Sequence, residues 1–149
     1  VFAIEVFDQD MQGEPGSDRR ILEVLSRFKV RFVSKDTNAN TITHYVDSTL
    51  KHVKRVVRAL KDEFPNAEIS TRKVAIVSAI GSDIKVSGIL ARSVKALADE
   101  DISVLALHQC MRQVDIQFVV DEDAYEKTIV ALHGALIEPH NHEYAIVAA

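Results

Sequence analysis

The sequence predicts an α+β protein made of two βαββαβ units, each a four-stranded antiparallel sheet with both helices on one face. Two observations support this prediction. The 149-residue chain contains an internal repeat, and each half shows the same order of strand-like and helix-like hydrophobic periods. The predicted units are residues 1–72 and 73–149. Units of about 70 residues are marginally stable alone, so we expect the units, or two chains, to pair.

The repeat is visible when residues 1–11, VFAIEVFDQDM, are laid over residues 74–84, VAIVSAIGSDI. The following turn is one residue longer in the first half, MQGEPG against IKVSG, and beyond it Gly16 falls on Gly88. Further pairs in the same alignment are Leu25 with Leu97, Val30 with Ile102, Ile42 with Val114 and Leu60 with Leu132. A single deletion inside a turn is a common difference between repeats, so the two halves are expected to share one fold.

Hydrophobic spacing and turn residues define the elements of each half. In the first half they are a strand to Phe7, a helix from Ser17, strands at 30–34 and 41–46, a helix from Ser48 to Phe64 and a strand at 68–71. In the second half they are strands at 73–80, 102–107, 114–120 and 144–147, with helices at 89–98 and 124–137. Ser48 is a favourable N-cap, and Pro65 ends the helix that precedes it.

Composition excludes several classes of protein. The chain is 47% hydrophobic and 27% charged, as in globular proteins. Its net charge is -4, and the sequence has no stripe of basic residues of the kind that nucleic-acid binding requires. The strands also lack exposed aromatic residues beside basic ones, which argues against RNA binding. No apolar run approaches the ~20 residues of a membrane helix. Cys110 is the single cysteine, so we expect no disulfide and a cytoplasmic location.

The sequence also lacks signs of catalysis. It contains no phosphate-binding glycine loop and no dinucleotide fingerprint, so we expect neither catalytic residues nor a cofactor. His140 and His142 have the spacing of some metal ligands, but no further ligand is evident, and no metal site is expected. His108 and Cys110 lack an orienting partner for a nucleophile. The chain opens on Val1, already inside a strand pattern, which indicates a fragment of a longer protein.

The second half contains a series of strand, turn and helix motifs in a defined order. VAIVSAIG fits a V-x-I-V-x-x-x-G strand and turn, and a helix follows the next glycine. IQFVV then fits a strand with the acidic cap DED, followed by a helix containing A-L-H. Together with the repeat, the order of these motifs over essentially all 149 residues resembles the C-terminal regulatory region of bacterial aspartate kinases. The resemblance implies two ferredoxin-like ACT units.

The resemblance also implies a function and partners. The chain would be a non-catalytic module that senses a small amino acid, with lysine or threonine expected, and it would form a homo-oligomer through ACT pairing. Its own kinase domain, with ATP and Mg²⁺, would lie elsewhere in the parent and would phosphorylate the aspartate β-carboxylate. The alternative is a free-standing tandem ACT protein that regulates a partner by protein contact.

By the same resemblance, the effector would bind between the turn before the first helix of one unit and the second strand and bend of a paired unit. The residues implied are Met11, Glu14, Gly16, Ser17 and Asp18 on the turn, Phe32, Val33, Thr37, Asn38, Ala39 and Asn40 on the strand and bend, and Gln109 in the second half. Such turns supply the N–H groups and oxygen atoms that a zwitterion requires. The second-half turn is shorter and lacks the proline, which makes it the weaker candidate.

The sequence departs from the lysine-sensitive pattern at one wall of this site. Those relatives carry an acidic residue where this chain has Val33, which leaves Asp18 or Glu14 as a partner for a lysine ammonium. A purely structural interpretation of the turn is the alternative: Pro15 and Gly16 would stop the strand, and Ser17 would cap the helix.

Overall fold

Six strands and four α-helices are formed by residues 1–13, 15–81, 84 and 86–137, which the computed structural model describes. They are β1 (Phe2–Phe7), α1 (Ser17–Arg27), β2 (Phe32–Thr37), β3 (Thr41–Val46), α2 (Leu50–Glu63), β4 (Glu68–Ile80), α3 (Ile89–Asp99), β5 (Ala106–Gln109), β6 (Asp115–Asp121) and α4 (Tyr125–Leu136). Short 3₁₀ helices at Gln9–Gly13 and Glu122–Ala124 precede α1 and α4. The chain divides into unit 1, Val1–Lys73, and unit 2, Val74–Ala149.

Unit 1 contains an antiparallel sheet in the order β2-β3-β1-β4. Ile4 in the middle of β1 lies opposite His44 of β3 and Thr71 of β4. Apolar residues of α1 and α2 recur every three or four positions and pack with β1 and β3. The buried core of unit 1 includes Ile4, Val6, Ile21, Val24, Leu25, Ile42, Val46, Val53, Val56 and Leu60.

Unit 2 pairs the second part of β4 with β6, and β6 with β5, again antiparallel. Phe118 of β6 lies opposite Val77 of β4 and Leu107 of β5. The core of this unit includes Val77, Ile89, Leu97, Ile116, Phe118, Val120 and Leu132. These pairings confirm the predicted α+β class with antiparallel sheets. The strand predicted at 144–147 lies outside the described residues.

One boundary differs from the prediction, because the strands expected at 68–71 and 73–80 form the single strand β4. Its residues Glu68 to Lys73 pair with β1, and Val74 to Ile80 pair with β6. Arg72 lies between the two predicted strands. It is not a glycine, a proline, an asparagine or an aspartate, so no turn-forming residue interrupts the extended backbone there.

Both units end their first helix in the same way, which explains why the next strand begins later than predicted. Lys29 and Asp101 have positive φ angles of 55° and 54°. The N–H groups of Val30 and Ile102 then bond to the carbonyls of Leu25 and Leu97, each at 2.9 Å. Val30 therefore completes the end of α1, and β2 begins at Phe32.

Two finer predictions are corrected by the structure. The N-cap of α2 is Thr49, whose hydroxyl accepts the N–H of His52, whereas Ser48 was expected. The repeat alignment is also shifted by two residues in the third strand of each unit: Ile42 corresponds to Ile116, whereas Val114 was expected. The bend between β5 and β6 is longer than its counterpart in unit 1, and its extra residues cannot be placed by aligning the two sequences alone.

No helix in the described ranges is long and apolar enough to cross a membrane.

Candidate functional site

The connection from β1 to α1 begins as a tight, internally bonded turn. Asp8 accepts the N–H of Asp10 on Oδ1 at 3.0 Å and the N–H of Met11 on its carbonyl at 3.1 Å. Met11 is buried in the core of unit 1, whereas Pro15 and Gly16 are exposed. Glu14 lies outside the described residues. Of the turn residues, Met11 therefore packs in the core, whereas Pro15 and Gly16 form an exposed segment that leads into α1.

The bend between β2 and β3 is organised by one asparagine side chain. Asn38 Oδ1 accepts the N–H groups of Asn40 at 3.2 Å and of Thr41 at 2.9 Å. The carbonyl of Asn40 in turn accepts the N–H of Asp8 at 3.0 Å. Asp8 opens the β1–α1 connection, so this bond joins the bend to the start of that connection. Thr37 and Ala39 are exposed on this bend.

Helix α1 starts on a glycine in a left-handed conformation. Gly16 has φ 98° and is the N-cap residue, and its carbonyl accepts the N–H of Arg20 at 3.1 Å. Ser17 is the buried first residue of the helix and not its cap, so the interpretation of Ser17 as the cap is wrong. Glycine is suited to this position because it adopts positive φ at little cost. The first turn of a helix directs N–H groups outward and favours negative charge.

A cluster of three ionisable residues lies against this first turn: Asp18 of α1, Lys35 of β2 and His44 of β3. Lys35 Nζ lies 2.5 Å from Asp18 Oδ2, and His44 Nε2 lies 3.8 Å from Asp18 Oδ1. The Asp18 and Lys35 side chains are roughly one-third exposed, whereas His44 is 1% exposed. The ring of Phe32 packs edge-on against His44 at 5.2 Å between centroids. We call these three residues the charged cluster.

Burial determines the charge of His44. Removal from water lowers the pKa of His44 to about 4, with Asp18 opposing the shift and Lys35 adding to it. At neutral pH the ring is therefore uncharged. Within the described part of the chain, neither ring nitrogen of His44 nor Oδ1 of Asp18 has a hydrogen-bond partner. Buried polar atoms without partners are costly and uncommon, and strongly shifted pKa values concentrate at functional sites.

His44 was not among the residues predicted for the site. The sequence did carry a signal for it, because Ile42, His44 and Val46 alternate on the inward face of β3. A histidine at an inward strand position must either be paired or carry a shifted pKa. That signal marks His44 as unusual, but it does not reveal that Asp18 and Lys35 are its neighbours.

The other predicted site residues lie on the sheet edges. Phe32 and Val33, 42% and 57% exposed, belong to strand β2 of unit 1. Gln109 ends β5 in unit 2, where it occupies the position that Thr37 has in unit 1.

Cys110 Sγ lies 3.6 Å from Asp115 Oδ1. His140 and His142 lie outside the described residues, and within those residues no group of three His, Cys, Asp or Glu side chains could hold a metal.

The class of protein follows from comparison with known families. Residues 66–134 match the ACT domain family. Over all 149 residues the chain is 51% identical to aspartate kinase Ask_Ect of Stutzerimonas stutzeri (strain A1501), and it spans 31% of that protein. The chain is therefore homologous to the regulatory region of aspartate kinases, as its motifs indicated.

Two solved structures show the same fold. The aspartate kinase of Clostridium acetobutylicum superimposes with a TM-score of 0.81 at 19% identity, over 92% of this chain and 33% of that one. The regulatory subunit of aspartate kinase from Thermus flavus gives a TM-score of 0.77 at 15% identity, over 90% of this chain and 91% of that one. The chain spans about a third of the length of the kinases that it matches.

Proposed function

We propose that this chain is the amino-acid-sensing regulatory module of an aspartate kinase. The observation that carries the proposal is 51% identity over the whole chain to 31% of one such enzyme. The parent reaction would be ATP-dependent phosphorylation of the aspartate β-carboxylate, with ATP and Mg²⁺ bound by the kinase domain and not by this segment. The same identity argues against a free-standing ACT regulator, because the relative is a kinase. We place the protein in the cytoplasm, where the parent's nucleotide substrate is found.

We place the effector between the turn before α1 of one unit and the second strand and bend, β2 to β3, of a paired unit. The bonds from the N–H groups of Asn40 and Thr41 to Asn38 Oδ1 support the bend as one side of this site, because they fix its conformation. The exposed Gly16 and the N–H groups of the first turn of α1 would take the ligand carboxylate. The remaining contacts proposed are Glu14, Ser17 and Asp18 and the residues Phe32, Val33 and Thr37 to Asn40, with Met11 supporting the turn from the core. Gln109 is the contact proposed for the equivalent bend of unit 2.

Pairing of ACT units in a homo-oligomer would complete this site, because each turn would face the second strand of a neighbouring unit. Lysine and threonine are the candidate effectors. An effector that binds one arrangement of the paired units more tightly than another shifts the population toward it. That difference in affinity would be transmitted to the kinase domain as a coupling free energy.

Titration calorimetry and thermal unfolding of the 149-residue chain with lysine, threonine and methionine test the proposal. At least one amino acid should release or absorb heat and raise the melting temperature. A ligand at 100 times its dissociation constant stabilises the folded state by about 2.7 kcal/mol. Asn38→Ala should weaken that binding, whereas Asn66→Ala, in the turn after α2, should not. Absence of heat and of a thermal shift with all three amino acids would contradict sensing by this module.

A further inference from the structure

The C-terminal end of α1 borders an open cavity of about 680 Å³ in unit 1. Its lining includes the apolar residues Leu22, Leu25, Val30 and Phe32 and the two cations Lys29 and Arg31. Both cations are exposed. An apolar wall beside positive charges is suited to a ligand that carries an anionic group on an apolar body.

Two further arginines extend the positive charge beside this cavity. The guanidinium groups of Arg27 and Arg55 lie over the ring of Phe28, 5.6 Å and 5.8 Å from its centroid. Phe28 directly precedes Lys29, so these side chains gather at the end of the same helix. We call Arg27, Lys29, Arg31 and Arg55 the basic end of α1. In the part of the chain that the structure describes, none of the four forms an ion pair with a carboxylate.

The corresponding end of α3 in unit 2 has the opposite charge on the same backbone. Lys29 and Asp101 are equivalent, because each has a positive φ angle and precedes the residue whose N–H closes its helix. Cations complement the dipole at a helix C-terminus, but α3 is followed by acids at these positions. The basic end of α1 is therefore not a requirement of the fold. The residues of unit 2 that correspond to Arg27, Phe28 and Arg31 are Asp99, Glu100 and Ser103.

Unit 2 also pairs charges at this position, whereas unit 1 does not. Lys95 Nζ lies 2.6 Å from Asp99 Oδ2, and Lys127 Nζ lies 3.5 Å from Glu100 Oε2. At the basic end of α1, like charges are held near one another, and the described residues supply no carboxylate to offset their repulsion. A bound anion would offset that repulsion.

The side chains of the basic end favour phosphate as the anionic group. The three guanidinium groups present planar forks of N–H donors that match phosphate oxygen atoms, and Lys29 adds a compact charge. The cavity lies at the far end of α1 from Gly16, and a helix of 11 residues is about 16 Å long. Among the lining residues named above, only Phe32 also belongs to the proposed effector contacts.

We propose that the basic end of α1 and its cavity form a second small-molecule site, which binds a phosphate monoester with an apolar or aromatic body. The phosphate would lie against Lys29 and Arg31, and the body would pack against Leu22, Val30 and Phe32. This inference goes beyond amino-acid sensing, because it concerns another end of α1 and another class of ligand.

The test is titration calorimetry of the 149-residue chain with AMP as the probe, and with adenosine and inorganic phosphate as its two separate parts. Wild type should bind AMP at least about tenfold more tightly than either part, because only AMP supplies both the anion and the body. Added salt should weaken AMP binding, since exposed charges are screened.

Two double variants locate the site. Lys29→Asn with Arg31→Gln removes both cations of the cavity and should weaken AMP binding about tenfold or more, and asparagine tolerates the positive φ at position 29. The matched control, Lys61→Gln with Arg112→Gln, removes two exposed cations elsewhere and should leave the affinity within about twofold. Arg31→Gln alone should show a smaller loss, and it replaces the double variant if that variant does not fold.

Three results would overturn the proposal: no binding of AMP, equal weakening by the two double variants, or unchanged binding by the folded Lys29 and Arg31 variants. Inorganic phosphate binding as tightly as AMP would also overturn it, because the cavity would then hold an adventitious ion only. Binding of lysine or threonine should be the same in wild type and in the cavity variant, so failure of this site is distinguishable from failure of amino-acid sensing.

Discussion

His44 Nε2 and Asp18 Oδ1 lie 3.8 Å apart, and neither atom has a hydrogen-bond partner in the described part of the chain. The separation is too long for a hydrogen bond but short enough for strong electrostatic coupling. Three side chains face the His44 ring. Asp18 attracts its protonated form and Lys35 repels it, whereas the apolar ring of Phe32 packs edge-on against it. Desolvation outweighs the attraction of Asp18, so folding stabilises the neutral ring.

This balance makes the stability of the chain depend on pH. The pKa of His44 falls from 6.5 in the unfolded chain to about 4 in the folded protein, so the unfolded chain binds more protons between these values. The free energy of unfolding should therefore fall as the pH falls from 6.5 to 4, by at most about 3 kcal/mol. Urea unfolding of wild type and His44→Phe at several pH values measures this, and the variant should show a flatter dependence. An equal pH dependence in the two proteins would contradict this account.

The left-handed glycines at the two helix starts allow a matched experiment. Gly16→Val and Gly88→Val should each lower the free energy of unfolding by about 1 to 2 kcal/mol, because a side chain at φ 98° or 91° is strained. No described atom lies within 4 Å of an added Cβ at either position, so backbone strain and not a clash sets this cost. If the effector binds at the first turn, only Gly16→Val should also weaken binding in calorimetry. Equal effects of both variants on binding would make the Gly16 turn purely structural.

Arg20 is predicted to fix α1 to the end of α2. Its Nε lies 2.9 Å from Glu63 Oε1, its Nη2 donates to the Glu63 carbonyl at 2.6 Å, and its guanidinium lies over Phe64 at 4.4 Å. Arg20→Ala should lower the free energy of unfolding by about 1 kcal/mol or more, since three interactions of a half-buried side chain are lost.

Two variants serve as controls for Arg20. Arg20→Lys should recover only part of the loss, because a lysine ammonium lacks the planar fork that reaches two Glu63 oxygens while lying over the Phe64 ring. Arg19→Ala, which removes an exposed ion pair with Glu23, should change stability by about 0.5 kcal/mol or less. Chemical denaturation measures all three variants. Full recovery by Arg20→Lys would show that charge alone matters at this position.

Tyr45 provides a fourth prediction. Its buried hydroxyl donates to Asp36 Oδ2 at 2.6 Å, and burial together with this bond raises the pKa of the Tyr45 phenol. Tyr45→Phe should lower the free energy of unfolding by about 1 to 2 kcal/mol, because a bond to a charged acceptor is lost. Tyr125→Phe, at a position 46% exposed, should have a much smaller effect in the same denaturation experiment. Equal effects would show that the bond to Asp36 adds nothing.

The features that could be predicted from the sequence are those encoded by local spacing. The start of α1 at Ser17 follows from Gly16 and from the apolar residues at 21, 22, 25 and 28, and α2 ends just before Pro65 as expected. The later start of β2 could not be predicted, because the apolar Val30 resembles a strand residue while its N–H bonds to the end of α1. An apolar residue indicates that a position is buried, but it does not indicate which carbonyl its backbone N–H bonds to.

The candidate site was only partly accessible to sequence reasoning. The turn and the bend could be found because glycine, proline and asparagine mark them locally. The charged cluster joins Asp18 to residues 17 and 26 positions further along the chain, and it depends on strand register, which no short motif reveals. The two-residue shift that aligns Ile42 with Ile116 was missed for the same reason.

In unit 2, Leu90, Leu107 and Phe118 occupy the positions that Asp18, Lys35 and His44 occupy in unit 1. The second half of this chain shows which side chains the same backbone accepts where the first half carries charges. Exchanging Asp18, Lys35 and His44 for Leu, Leu and Phe copies that solution, and we expect the exchanged chain to fold and to lose the pH dependence that His44 confers.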